Sequence, residues 1–216
     1  MNQSGPASAI GVIDYGMGNL GSVSKALTFL GFKAEVVRDP DRVGTFDRLV
    51  LPGVGAMTYA MQNLSRTGMD QAIRSYVLTG RPFLGICLGM QLMFERSEEG
   101  DAEGLGILPG MVRRFASQPG LKIPHMGWNQ IAWSGHPWIQ TGSNFYFVHS
   151  FFVSPQDPAM TVATSDHGGT FTAAVRSGSI LLTQFHPEKS GDTGLALLTD
   201  WVMRTDDRPV QGGTRR

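Results

Sequence analysis

"RPFLGICLGMQLMFE" (81–95) decides how the rest of the chain is read. "PFLGIC" (82–87) is a continuous apolar run of strand length, and the stretch 88–96 has helical periodicity. At the joint stands Cys87, the one cysteine of the 216-residue chain, with Gly85 two places before it and Gly89 two places after. G-x-C-x-G is a thiol variant of the nucleophile elbow. In that turn a reactive side chain sits on a tight strand-to-helix corner, and its neighbours must be small because any side chain there would clash. The helix N-terminus behind it would favour thiolate. A buried structural cysteine is a common alternative, but it does not need glycines on both sides.

Working outward, apolar runs alternate with helical patterns. "AIGVID" (9–14), "AEVV" (34–37) and "RLVLP" (48–52) read as strands, residues 20–30 as an amphipathic helix closed by Gly31, and residues 57–79 as helical. Strand and helix at this rhythm imply a parallel sheet covered on both faces. The second half changes character: "GMVRRF", "NFYFVHSFFV", "AMTVATS" and "FTAAVRSGSILLTQF" are turn-separated strands, followed by a last helix at about 192–204. The expected fold is α/β, a single domain (9–204) with a mixed, largely parallel central sheet and helices on both faces. Residues 1–8 and 205–216 lack an apolar period and are expected to be disordered.

Composition excludes several function classes. Apolar residues make up 41% and charged residues 17%, and eighteen basic residues cancel eighteen acidic ones. With no basic stripe, nucleic acid is not an expected partner. A lone cysteine cannot form an internal disulfide, which suits a reducing compartment. The start "MNQSGPASA" has no secretory signature, and no stretch approaches the ~20 apolar residues of a membrane span. A soluble cytoplasmic protein is expected. The histidines and acids do not fall into metal-ligand spacings, so no metal site is expected.

A thiolate needs a proton carrier. His186 lies in "LLTQFHPEKS" (181–190), just past an apolar strand. In an extended chain residues i and i+2 project to one side, so Glu188 can hold the imidazole by one ring nitrogen and leave the other for the thiol. That is the logic of nucleophile, base and orienter. His149 in "YFVHSFFV" is a rival base, but with no carboxylate near it in sequence it reads as a satisfied half-buried histidine. His125, His136 and His167 sit in loop-like stretches without an assigned role.

Acyl transfer also needs an oxyanion hole. "LPGVGA" (51–56) ends the third strand at the same edge of the sheet as the elbow. There Gly53 or Val54 can offer one backbone N–H and Leu88 the other. Nearer the start, "GMGNLG" (16–21) spells G-x-G-x-x-G between a strand and a helix, the dinucleotide fingerprint. Asp14 and Tyr15 separate it from its strand, and Arg38 would crowd a ribose 2′-hydroxyl, so a glycine-rich turn without nucleotide is the preferred reading.

Taken in order, "PGVGA", "GICLGMQLMFE", "IPHMGWN", "NFYFVHS" and "FHPEKS" resemble the class I (triad) glutamine amidotransferases. The resemblance spans about residues 10–203. It implies that Cys87 attacks the side-chain amide of glutamine, that His186 shuttles the proton, and that Glu188 orients the imidazole. It also implies substrate contacts at Gln91 and along the backbone of His149, Ser150 and Phe151, and no cofactor. "PGVG" resembles a branch of the family whose oxyanion hole needs a peptide rearrangement. "VIDYGMGNLGSV" and "HMGWN" point to the branch serving histidine biosynthesis, in which the glutaminase forms a heterodimer with a (β/α)8-barrel cyclase. The family's interface then falls on Asn19, Trp128, Tyr146 and Lys189. Glutaminases of pyridoxal phosphate or anthranilate synthesis are the alternative. A second chain is expected on chemical grounds too, because ammonia released into neutral water is protonated and ceases to be a nucleophile.

Overall fold

The computed structural model describes residues 9–134 and 141–203. The disorder expected for 1–8 and 205–216, and the last residue of the expected domain, Arg204, lie outside them. The first half runs β1 (Ile10–Ile13), α1 (Leu20–Phe29), β2 (Ala34–Val37), α2 (Pro40–Val43), β3 (Arg48–Gly53), α3 (Met57–Thr67), α4 (Met69–Leu78) and β4 (Phe83–Cys87). A single-turn helix α5 (Leu88–Gln91) leads to β5 (Arg96–Ser97), β6 (Ala102–Glu103), β7 (Gly110–Arg114), β8 (His125–Gln130) and β9 (Ala132–Trp133). The remainder is β10 (Asn144–His149), β11 (Phe151–Pro155), β12 (Thr161–Asp166), β13 (Thr170–Ser177), β14 (Ile180–Thr183) and α6 (Gly191–Met203).

The central sheet has the order β2-β1-β3-β4-β14-β13-β12-β9. Strands β2 to β14 pair in parallel, and β13, β12 and β9 complete the sheet antiparallel. The expected mixed, largely parallel sheet is therefore present. Alternation along each strand divides its side chains between two layers. Leu49, Leu51 and Phe83 pack with Met57, Leu64 and Ile73 of α3 and α4. Val50, Leu84 and Ile86 pack on the other face with Val23 and Leu27 of α1 and Leu198 and Trp201 of α6. Two smaller sheets, the β10–β8 ribbon and β11-β7-β5-β6, complete the fold.

Two helices differ from expectation. The periodic stretch 57–79 is broken at Gly68, which adopts φ 73° and serves as C-cap of α3 and N-cap of α4. A left-handed turn of this kind is where glycine avoids a Cβ clash. The helix after Cys87 is only four residues long, not 88–96. The carbonyls that would continue it are taken by a returning loop: Leu105 N–H bonds Leu92 O at 2.7 Å, Ile107 bonds Met93 O and Gly106 bonds Phe94 O. One turn carries little macrodipole, so the dipole argument for the Cys87 thiolate loses most of its weight.

The carboxyl ends of β3, β4 and β14 coincide. Gly53 is in register with Cys87, and Thr183 with Ile86. Open α/β sheets carry their ligand sites at such ends.

Candidate active site

Cys87 closes β4 with φ 55° and ψ −110°, a conformation that L-residues rarely adopt. Strain of this kind costs on the order of 1–3 kcal/mol and persists only where packing enforces it. The enforcement comes from the flanking glycines. A Cβ on Gly89 would stand 1.9 Å from the carbonyl oxygen of Leu51, and one on Gly85 would stand 2.7 Å from Leu182 and 2.8 Å from Gly89 O. The elbow is thus pressed against its neighbouring strands, as G-x-C-x-G suggested.

His186 follows β14 as the N-cap of a 3-10 turn, Pro187–Lys189. Its Nδ1 lies 2.8 Å from Glu188 Oε1, with both side chains almost fully buried. The expected pair forms, but through this turn and not through an extended chain. The turn is clamped: His186 N–H bonds Tyr146 O, Ser190 Oγ donates to His186 O, and Tyr146 N–H donates to Ser190 Oγ. Helix α6 seals it from behind, since a Cβ on Gly194 would fall 2.0 Å from Pro187 O.

Burial by itself draws the His186 pKa down. Hydrogen bonding to Cys87 and Glu188, together with the charges of both, outweighs it and lifts the imidazole to about 10. The imidazolium is the form these neighbours favour at neutral pH. His186 Nε2 and Glu188 Oε2 have no hydrogen bond of ordinary geometry, which leaves Nε2 for the thiol chemistry. The Tyr15 phenol, buried beneath the elbow, is pushed up by desolvation and then by the charge of Cys87.

A cavity of about 350 Å³ opens over the thiol. Val54, Gly55, Leu88, Gln91 and Glu99 form part of its wall, and Val148 to Phe151 also line it. Of the three oxyanion candidates, Val54 and Leu88 reach this wall. Gly53 is not among the residues that line it, and the space where its Cβ would stand is filled by Tyr15 Oη, Gly89 N and Leu88 Cβ. Gln91 is buried and donates Nε2 to Phe151 O and to Gln184 Oε1, each at 3.0 Å. Its amide presents only Oε1 as a free group, an acceptor.

Three residues at the site escaped the sequence reading. Glu99 lines the cavity while its Oε2 caps α3 through Met57 N–H at 2.8 Å, standing in for the side-chain cap that Ala56 cannot supply. Gln184, fully buried, donates Nε2 to Cys87 Sγ at 3.6 Å. His125 pairs with His149, Nδ1 to Nε2 at 2.9 Å, and its ring stacks on His167 with centroids 4.2 Å apart. His149 is buried, not half-buried, and its Nδ1 lies 2.7 Å from Phe151 O. Desolvation lowers the His149 pKa to about 3 and that of His125 to about 4. His149 is therefore a weak proton acceptor, and both its ring nitrogens are engaged, Nδ1 by Phe151 O and Nε2 by His125 Nδ1, which argues against it as the rival base. Among the described residues no group of three or more His, Cys, Asp or Glu is arranged to hold a metal ion. His136 lies outside the described residues.

On the outer surface of the β8–β10 ribbon, Trp128 is 58% exposed and meets the Tyr146 ring edge-on, with centroids 6.2 Å apart. Lys189 Nζ stands 5.9 Å above that same ring. Asn19 is the half-buried N-cap of α1, and Asp14 is engaged by Arg38 Nε at 2.7 Å. The "GMGNLG" loop is thus closed by its own contacts. Among the described residues no helix is long and apolar enough to cross a membrane.

A strained thiol ends β4, and a buried histidine–glutamate pair follows the neighbouring strand β14. The chain belongs to the class-I glutamine amidotransferase family, whose sequence profile matches residues 11–204. It is a glutamine-hydrolysing enzyme of that family, and its curated relatives specify the branch. Imidazole glycerol phosphate synthase subunit HisH of Synechococcus sp. (strain JA-3-3Ab) is 48% identical over 208 residues, 91% of this chain and 94% of the relative. The HisH subunit of Rhodopirellula baltica (strain DSM 10527 / NCIMB 13988 / SH1) is 47% identical over 193 residues, 88% and 94% of the two chains. Among solved structures, a glutamine amidotransferase superimposes with a TM-score of 0.72 at 21% identity, covering 89% of this chain and 97% of that one. PurLQS from Thermotoga maritima gives 0.72 at 18% identity, with 91% and 98% covered. At such identity the likeness is one of fold.

Proposed function

We propose that this chain is the glutaminase subunit of an imidazole glycerol phosphate synthase, with Cys87, His186 and Glu188 as its catalytic triad. The observation that carries the reading is a strained, glycine-flanked thiol at the end of β4 with a buried His186–Glu188 pair, 2.8 Å apart, just past the neighbouring strand β14. The thiolate adds to the side-chain carbonyl carbon of glutamine. Charge passes to the carbonyl oxygen, and the donors assigned to it are the backbone N–H of Leu88 and one from the Val54 loop, both of which line the cavity. The His186 imidazolium then gives its proton to the departing nitrogen, and ammonia leaves a glutamyl thioester. In the second half His186 takes a proton from water, the hydroxide attacks the thioester, and the sulfur departs as thiolate with glutamate released. Glu188 holds Nδ1 throughout, which directs Nε2 at the reacting atoms.

The ligand's α-ammonium is assigned to Gln91 Oε1 and the Glu99 carboxylate, the two acceptors on one wall. Its carboxylate is assigned to the backbone of Ser150 and Phe151. The partner is a cyclase of the (β/α)8-barrel type, seated on Trp128, Tyr146 and Lys189 with Asn19 at the edge. An exposed indole with a cation held over an adjacent phenol ring is the composition of an interface anchor. The heterodimer would work in the cytoplasm. Glutamate production by the mixed subunits, compared with Cys87→Ala in the same mixture, tests the assignment. Rescue by the cyclase of histidine synthesis, and not by pyridoxal phosphate or anthranilate synthases, tests the branch.

A further inference from the structure

Gln184 is an uncharged amide in the interior, one residue past β14 and two before His186, with none of its surface exposed. Fully buried polar groups are kept where they have partners, and here one partner is the nucleophile. The direction of each hydrogen bond follows from a single fixed point. The carbonyl oxygen of Phe151 can only accept, so both groups that approach it must donate: Gln91 Nε2 at 3.0 Å and His149 Nδ1 at 2.7 Å. Since Gln91 spends its second N–H on Gln184, the atom it meets there is the Gln184 oxygen, at 3.0 Å. The Gln184 NH₂ is left facing Cys87 Sγ. On the other branch, His149 protonated at Nδ1 has a bare Nε2 and accepts from His125 Nδ1 at 2.9 Å. His125 Nε2 is then an acceptor for Asn129 Nδ2 at 3.1 Å, whose other N–H goes to Asp166 O at 2.8 Å.

We propose that Gln184 holds the Cys87 thiolate by an N–H···S hydrogen bond, and that Gln91, itself oriented by the Phe151 carbonyl, is the positioning residue fixing the polarity of that bond. The inference rests on the glutaminase reading and deepens its nucleophile. It also resolves a conflict at the sulfur. Cys87 Sγ lies 3.8 Å from Val148 O, a contact that suits the protonated thiol as donor and repels the thiolate. The Gln184 N–H acts in the opposite sense and favours the anion. Against a carbonyl that retains the proton, the amide and the His186 imidazolium together release it. The neutral state of His125 and His149 belongs to the same arrangement, because a second proton on either ring would set donor against donor.

The test is the rate at which iodoacetamide alkylates Cys87 in the full chain, followed from about pH 5 to about pH 10. The groups that titrate around the sulfur are His186, Tyr15 and, on the cavity wall, Glu99 and His149. They are unchanged in each variant. Gln184→Leu removes the donor and is expected to raise the alkylation midpoint by about one pH unit, and to lower glutaminase kcat in the cyclase complex about tenfold or more. Gln184→Glu, nearly the same size, places acceptor oxygens against the sulfur and is expected to raise the midpoint further. Gln91→Leu removes the donor that fixes the Gln184 oxygen and is expected to move the midpoint the same way by less. Unchanged alkylation midpoints in the folded variants would reduce Gln184 to a core amide and overturn the proposal. Should Gln184→Leu fail to fold, Gln184→Glu decides; should both fail, Gln91→Leu decides. Alkylation uses no glutamine, and turnover by the unsubstituted chain tests the glutaminase reading, so the two failures are distinguishable.

Discussion

Two buried histidines flank Cys87 and titrate in opposite directions. His186, on the turn leaving β14, is lifted to about 10, while His149, on the β8–β10 ribbon, is lowered to about 3. Burial pulls both down, so burial does not explain the contrast. Partners do. His186 meets a carboxylate and a thiol, and both gain from a charged imidazole. His149 meets a carbonyl and a second imidazole, neither of which carries a charge to balance one. The site therefore has an ionic side, to which the proposed mechanism assigns proton transfer, and a neutral, directional side of hydrogen-bonded amides and imidazoles.

The contrast can be broken from the ionic side with the largest effect. Glu188→Gln removes the charge that opposes desolvation, and the His186 pKa is expected to fall. The kcat for glutamine hydrolysis in the complex should drop by roughly 10⁴-fold, on the scale of orienting carboxylates in other triads. A pH–rate profile that kept its shape would contradict this. Gly89→Ala attacks the geometry that both sides share. Its new Cβ would lie 1.9 Å from Leu51 O, and a loss of about 3 kcal/mol or more in urea unfolding is expected. A Tm within about 2 °C of the unsubstituted chain would show that the elbow yields.

Trp128→Ala separates docking from the ribbon's inner histidines. Affinity for the cyclase should weaken by about 2 kcal/mol, as for a central aromatic anchor, with alkylation of Cys87 in the free chain unchanged. The two sides of the site also differ in the pH dependence of stability. His125 and His149 have folded pKa values below their unfolded value, so their contribution is present above about pH 6.5 and is lost as pH falls toward about 4 and 3. His186 has a raised value, so its contribution is present below about pH 6.5 and is lost as pH rises through about 10. Urea midpoints measured across pH should fall at both ends. Gln at 125 and 149 should flatten only the acid limb, and Glu188→Gln only the alkaline one.

How much of this was legible in the sequence depends on the range of the interaction. The parallel strands were, because an apolar run of strand length between helical periods has few other readings. So were Cys87 and the His186–Glu188 pair, since each is defined by residues within a few positions. The length of α5 was not, because it is ended by carbonyl contacts to residues 105–107. Gln184 stood in plain view inside "LLTQFHPEKS", yet its role depends on Gln91 and Phe151, which lie far away in the chain. The imidazole chain was hidden for the same reason: β8 and β10 pair His125 with His149 in register, and no local pattern announces it. Gly53 and Val54 were indistinguishable as letters; of the two only Val54 lines the cavity.

The most direct measurement is glutamate release from glutamine by this chain alone, with a histidine-pathway cyclase, and with that cyclase and its nucleotide ligand. The account predicts turnover that appears mainly in the last mixture and disappears in Cys87→Ala. Turnover that survives Cys87→Ala, or no turnover in any mixture, would contradict it.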